Sequence, residues 1–217
     1  MTADKPGGRS GKFITRASEM SLRAVGEAIS SYNGLFHNTR RLLREEHPRN
    51  DIIPIYNRRM PTLSTSAQKI QDQLKSLGYD YTVIEHAEST RTAQEAADRA
   101  GCELGQIVKS LIFKGKETGK PILVLTSGAN RVDEKRISEY AGEAIGRAEA
   151  EFVRAVTGFA IGGVPPIGHA QKMETYIDED FLQYETIWAA AGTPNAIFEL
   201  KTSDLQVMTD GKTVRVK

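Results

Sequence analysis

The chain has 217 residues, 39% hydrophobic and 26% charged, with a formal net charge of +1. That length and apolar content support one sizeable domain with its own core, alone or with an extension. The single cysteine, Cys102, excludes an internal disulfide framework, and no apolar run approaches the ~20 residues of a membrane span or forms a signal-peptide core after Met1, so a cytoplasmic protein with no membrane partner is expected.

Charge is unevenly distributed. Residues 1–60 hold eleven Lys/Arg against six Asp/Glu, whereas the remainder holds eighteen against twenty-two. The first dozen residues are polar and glycine-rich and are expected to be disordered. Leu22, Val25, Ile29 and Tyr32 then fall at helical spacing, and Leu35 to His47 reads as a second, basic helix. Its Arg40, Arg41 and Arg44, with Arg49, either grip a phosphate backbone or form a solvated face. Pro48 to Pro61 contains three prolines and no sustained periodicity, so it reads as a joint. Residues 1–59 are therefore expected to be an extension, with Met60 a candidate natural start and 60–217 the functional domain.

From residue 62 the pattern is regular. Ala67, Ile70, Leu74 and Leu77 make one helical stripe, with Thr65 and Ser66 as candidate caps and Gly78 as the stop. Tyr81 to Ile84 reads as a strand. Thr92-Ala93-Gln94-Glu95 is a capping-box pattern that opens a helix ending at Gly101. Gln106 to Lys114 is a second strand, on which Ile107, Lys109, Leu111 and Phe113 share one face. A lysine in an apolar row must either snorkel to water or meet an anion, because an unpartnered buried ammonium is expensive.

Pro121 to Thr126 is a continuously apolar strand, expected to be central and covered on both faces. Asp133 to Tyr140 and Ala148 to Val156 read as helices. Between Gly158 and Gly168 lie four glycines and two prolines in eleven residues, including Gly162-Gly163-Val164-Pro165-Pro166-Ile167-Gly168. Such a segment continues neither helix nor sheet; it is either a tight structural connection or a rigid loop that presents main-chain groups to a small ligand. Strands near Glu174–Ile177, Thr186–Ala189 and Ala196–Leu200 and a short helix near Ser203–Met208 complete a mixed α/β (α+β) domain, a curved sheet of about seven strands flanked by helices.

No P-loop, Gly-x-Ser-x-Gly elbow or His-Glu-x-x-His occurs. His37, His47, His86 and His169 are scattered, so neither a metal nor another cofactor is expected. His169, beside the glycine-proline loop, is either a proton carrier or a group that orients the loop. Arg131, Asp133 and Lys135 follow the apolar strand and are candidates for the site's edge, although a helix cap accounts equally for Asp133.

The order of these elements, with Ile107-Val108-Lys109-Ser110-Leu111, the Gly162–Gly168 loop and Trp188-Ala189-Ala190-Ala191-Gly192, resembles the YbaK/prolyl-tRNA-synthetase-associated family of aminoacyl-tRNA editing domains over about residues 62–217. The resemblance implies a free-standing, trans-acting deacylase that hydrolyses mischarged aminoacyl-tRNA. Lys109 would hold the phosphate of the terminal adenosine, and the Gly162, Gly163 and Pro166 positions of the Gly-x-x-x-Pro loop would position the aminoacyl carbonyl and a water. Val164, Pro165, Gly168, His169, Ser127 and Gly192 are implied as substrate-binding positions. The implied partners are the acceptor end of aminoacyl-tRNA and a synthetase such as prolyl-tRNA synthetase. No protein nucleophile is expected, since a ribose hydroxyl of the substrate helps activate water in the family. Such a second site is needed because a synthetase pocket discriminates by only ~1–3 kcal/mol per methylene. Two rival readings are a tRNA-end or nucleotide-binding module of the same fold without hydrolysis, and an interaction protein whose working part is the basic leader.

Overall fold

A computed structural model describes residues 62–88 and 92–217, and the expectations for the extension, the joint and Met60 fall outside these. Helix α1 (Thr65–Ser76) starts where the Ser64 hydroxyl accepts from the Ala67 amide at 3.4 Å, and it buries Ala67, Ile70 and Leu74. Strand β1 (Val83–Glu85) is shorter than the Tyr81–Ile84 expectation. The reason is a side chain: Gln71 donates to the Tyr81 carbonyl and accepts from the Val83 amide, each at 2.8 Å, in place of a neighbouring strand. Helix α2 (Ala93–Ala100) is capped by Thr92, whose hydroxyl accepts from the Glu95 amide at 3.1 Å, and ends at left-handed Gly101.

A 3-10 turn (Leu104–Gln106) leads into β2 (Ile107–Gly115), which forms a hairpin with β3 (Pro121–Ser127). Then follow α3 (Glu134–Ala141), β4 (Ile145–Arg147), α4 (Ala150–Thr157), the glycine-proline segment and β5 (Glu174–Asp178). A second 3-10 stretch (Glu179–Gln183), β6 (Thr186–Ala190), β7 (Ala196–Lys201), α5 (Thr202–Thr209) and β8 (Lys212–Val214) close the domain. Asp133 is the N-cap of α3, accepting from Lys135 and Arg136.

The described residues fold as mixed α/β around one sheet of eight strands, in the order β1-β7-β6-β2-β3-β5-β8 with β4 also on β2. The pairs β6/β2, β3/β5 and β5/β8 are parallel and the others antiparallel. On one face, Leu123 and Leu125 of β3 and Val108 and Ile112 of β2 pack with α1, α4, Phe159, Val164 and Ile167. The other face carries two separate clusters. Ile107 packs with Ala96 and Ala97 of α2, while Phe113, Ile122 and Val124 pack with Ile137 of α3 and Val216. Thus β3 is covered on both faces, as its apolar run implied. By strand alternation Lys109 lies on the second face, in the seam between the α2 and α3 clusters.

Candidate functional site

Strand β2 changes partners along its length. Its ladder with β6 comprises Ile107 and Val108, and its ladder with β4 begins at Phe113. Between them the β2 edge borders a cavity of about 480 Å³, lined among others by Lys109, Ser110, Val153, Gly162, Val164 and Trp188. The Ala148 amide donates to the Ile112 carbonyl at 3.2 Å and closes one end. The volume is that of an ordinary small-ligand pocket, and its walls are mostly apolar.

Lys109 is half-buried. Its ammonium donates to the carbonyls of Gly128 at 3.1 Å and Asn130 at 2.5 Å, in the turn after β3. A lysine ammonium has three donors, so two carbonyls leave one for a ligand. Burial holds Lys109 below the usual lysine range, the Asp178 carboxylate pulls it back up, and the nearby Arg131 guanidinium adds to the depression. The turn is drawn tight against the start of β2: the Gly128 amide donates to the Ile107 carbonyl at 2.7 Å, and a Cβ at Gly128 would lie 2.3 Å from the Leu104 carbonyl oxygen.

Asp178, at the end of β5, is 1% exposed and holds that turn from beneath. One of its oxygens accepts from the Thr126 hydroxyl at 3.1 Å, the Ser127 amide at 3.0 Å and the Asn130 side-chain amide at 2.8 Å. The other accepts from the Asp180 amide at 3.1 Å. Asn130 also donates to Asp180 at 2.8 Å, and Lys217 pairs with Asp180 at the rim.

The glycine-proline segment forms the facing lip. Ile161 is 60% exposed, whereas Gly163 to Ile167 are buried. Gly163 lies against the 192–194 loop so closely that a Cβ would come within 2.7–2.9 Å of Thr193 backbone atoms. That loop is anchored by Glu85, which accepts from the Thr193 hydroxyl at 3.1 Å and from Ser64 at 2.6 and 2.8 Å. Burial opposes the Glu85 charge, but the Ser64 and Thr193 hydrogen bonds outweigh it and hold the carboxyl below its usual range. On the inner side His169 Nε2 donates to the Pro165 carbonyl at 2.8 Å, so the ring acts as a brace. Burial lowers the His169 imidazole below its usual range, with the Pro165 hydrogen bond opposing and Lys69 adding to the shift.

Of the residues singled out from sequence, Lys109, Gly162 and Val164 line the cavity. Gly163, Pro165, Pro166, Gly168 and His169 lie behind the lip and fix its shape. Ser127 is buried under the Lys109 turn, its hydroxyl donating to the Gly105 carbonyl at 2.8 Å. Gly192 packs against the Ser66 carbonyl, where a Cβ would lie 2.7 Å away. Arg131 is close enough to shift Lys109, whereas Asp133 caps α3. Sequence reasoning missed Asp178, Asn130 and Ser110. Asp178 looked like any strand-end aspartate, since its partners lie about fifty positions upstream. Ser110 lines the cavity with its hydroxyl buried and without a hydrogen-bond partner. Among the described residues no group of three or more His, Cys, Asp or Glu could hold a metal ion, and no helix is long and apolar enough to cross a membrane.

Residues 87–207 match the model of the aminoacyl-tRNA editing domain. Among curated proteins, "Uncharacterized protein YwhH" of Bacillus subtilis is 29% identical over 147 residues, covering 68% of this chain and 93% of that protein. The protein of Enterococcus faecalis named "Putative Cys-tRNA(Pro)/Cys-tRNA(Cys) deacylase EbsC" is 28% identical over 149 residues, covering 68% of this chain and 90% of that one. A solved structure described as "a putative trans-editing enzyme for prolyl tRNA synthetase" superposes with a TM-score of 0.69 at 45% identity, covering 72% of this chain and 99% of its own. With the match spanning more than half its length, and with the lysine strand and the glycine-proline lip facing one cavity, the chain belongs to the aminoacyl-tRNA editing domain family.

Proposed function

We propose that the protein acts in trans on mischarged aminoacyl-tRNA, hydrolysing the ester between the amino acid and the terminal ribose. The observation that carries this reading is the half-buried Lys109 ammonium, clasped by two carbonyls beside an apolar cavity and left with one donor. A cation so placed suits a single phosphate, here that of the terminal adenosine, with a charge-assisted hydrogen bond. The aminoacyl group then enters the cavity past Gly162, whose main chain at the lip positions the ester carbonyl and a water. Water adds to the carbonyl carbon, the bond to the ribose oxygen breaks, and that oxygen leaves with a proton, giving free amino acid and uncharged tRNA. The protein contributes orientation and electrostatics, and the substrate's own ribose hydroxyl assists the water.

The named activities of the Enterococcus faecalis relative and of the solved structure support tRNA for proline as the carrier and prolyl-tRNA synthetase as the enzyme whose errors are removed. In this reading residues 60–217 are the deacylase domain, residues 1–59 an extension that adds salt-sensitive phosphate contacts, and the site of action is the cytoplasm.

The test is deacylation of tRNA charged with alanine, cysteine, serine, threonine or proline, comparing wild type with Lys109→Ala. One non-cognate ester is released well above its uncatalysed rate, and the variant loses about 10–100-fold in kcat/KM, the worth of one hydrogen bond to a charged group. If tRNA binds but no ester turns over, the protein is instead a non-catalytic tRNA-end module.

A further inference from the structure

Lys109 cannot hold its own place. It lies in a seam between two apolar clusters, and the carbonyls that clasp it belong to a turn with no secondary structure of its own. Besides the Gly128–Ile107 bond and the Asn130–Asp180 contact, the turn is fastened to β5 by the Asp178 carboxylate. Asp178 gathers a hydroxyl, a main-chain amide and a side-chain amide from three residues of the 126–130 segment onto a single oxygen, at 2.8–3.1 Å. Its second oxygen is occupied by the Asp180 amide. Four donors surround this buried carboxylate, so both of its oxygens are hydrogen-bonded despite the loss of water. Resting on the reading that Lys109 anchors the adenosine phosphate, we propose that Asp178 is the positioning residue of that anchor: it fixes the two carbonyls that aim the ammonium and supplies the buried counter-charge behind it.

Charge balance fits this assignment. The groups facing Lys109 are Asp178 from β5 and Arg131 from the segment after β3, while Asp180 and Lys217 contact the neighbouring Asn130 and Arg215 acts on Asp180. Asp180 is paired with Lys217, which leaves Asp178 as the carboxylate that offsets the burial of Lys109 and the push from Arg131. Without Asp178, the ammonium would face a desolvated pocket and a guanidinium with only the two carbonyl dipoles opposing them.

Two variants separate the parts of the role. Asp178→Asn removes the charge and, with its Oδ1 turned to Thr126, Ser127 and Asn130, retains those three bonds while giving up the bond from the Asp180 amide. Asn130→Ala removes the one bond from the carboxylate to the turn beyond β3, together with the Asn130 contacts to Asp180 and Lys217, and keeps the charge and the Thr126 and Ser127 bonds. Binding is followed with an amide-linked aminoacyl-adenosine 5′-phosphate, which survives alkaline pH where the ester does not, and Lys109 is titrated directly by NMR of its ε-carbon. In Asp178→Asn the Lys109 midpoint moves to lower pH, and analogue affinity falls about tenfold with its alkaline limb shifted the same way. In Asn130→Ala affinity falls similarly while the midpoint stays near that of wild type. A folded Asp178→Asn with an unmoved Lys109 midpoint and unchanged affinity overturns the proposal. Where Asp178→Asn fails to fold, wild-type affinity in Asn130→Ala overturns it. Failure of the wild type itself to bind the analogue sinks the phosphate-anchor reading instead, and the Lys109 titration then still decides whether Asp178 governs the ammonium.

Discussion

Gly163→Ala is a severe test of the idea that the lip is a fixed main-chain surface. The new Cβ would lie 2.7 Å from Thr193 Cα, 2.8 Å from its carbonyl carbon and 2.9 Å from its nitrogen. Ordinary contact begins near 3.4 Å, so the two loops must part by about 0.7 Å. No rotamer change relieves the clash, because every atom involved is backbone. On the far side Thr193 is tied to Glu85, and Glu85 to the start of α1. On the near side Val164 and Ile167 are buried in the main cluster and Pro165 and Pro166 between them are buried, so neither loop retreats freely. Overpacking of this kind costs about 1–3 kcal/mol, or roughly 2–10 °C in Tm for a domain of this size. A displacement approaching 1 Å at a positioning element costs up to about 100-fold in rate. The measurement is a thermal melt together with single-turnover deacylation. Gly162→Ala is the comparison: it has space around it, with Pro194 Cγ at 3.8 Å, and meets only the strain of its φ of 91°. A Gly163→Ala protein with wild-type Tm and wild-type turnover would refute the claim that loop-to-loop contact sets the lip.

Three further outcomes are expected. Replacing Lys109 by Arg keeps the charge but offers a planar fork to carbonyls that hold a compact ammonium, so kcat/KM falls at least about tenfold; wild-type turnover would mean that charge alone suffices. His169 has its proton affinity lowered on folding, so the unfolded chain binds more protons below the unfolded midpoint; its contribution to stability is full above about pH 6.5 and is lost as pH falls through the lowered folded value. His86 shifts in the same direction, so the melt is compared between wild type and His169→Gln, and a variant with the same acid-side loss would exclude His169 as its source. Ser110→Ala removes a buried hydroxyl that has no partner, so Tm stays the same or rises slightly, while the relative rates on alanyl, cysteinyl and seryl esters change. A loss of several degrees in Tm would contradict the absence of a partner, and an unaltered substrate ranking would mean that Ser110 does not meet the bound side chain.

Much of the fold is encoded at short range. The alternation Ile107-Lys109-Leu111-Phe113 identified both the strand and its odd residue, because period-2 patterning survives any tertiary context that buries one face. Thr92 and Gly101 marked the ends of α2 through local capping chemistry. What could not be read depended on distant partners. The three-residue β4 and β8 exist because β2 and β5 offer them edges, and nothing in Ile145-Gly146-Arg147 or Lys212-Thr213-Val214 demands a strand. Asp178 acquires meaning only when parallel β3 and β5 bring residues 126–130 to it. The glycine-proline segment was legible as rigid, but which of its residues meet the cavity was not. That depends on Gly163 being pressed against Thr193 while Gly162 and Val164 turn inward.

The change of partners along β2 has a consequence for how such a site can diverge. Between Val108 and Phe113 the sheet is notched, and one rim of the notch is peptide backbone, which offers the same groups for every residue type except proline. If this cavity is the substrate site, substitutions on the opposing walls can retune which side chain fits, while the backbone edge loses a hydrogen-bonding group only on substitution by proline.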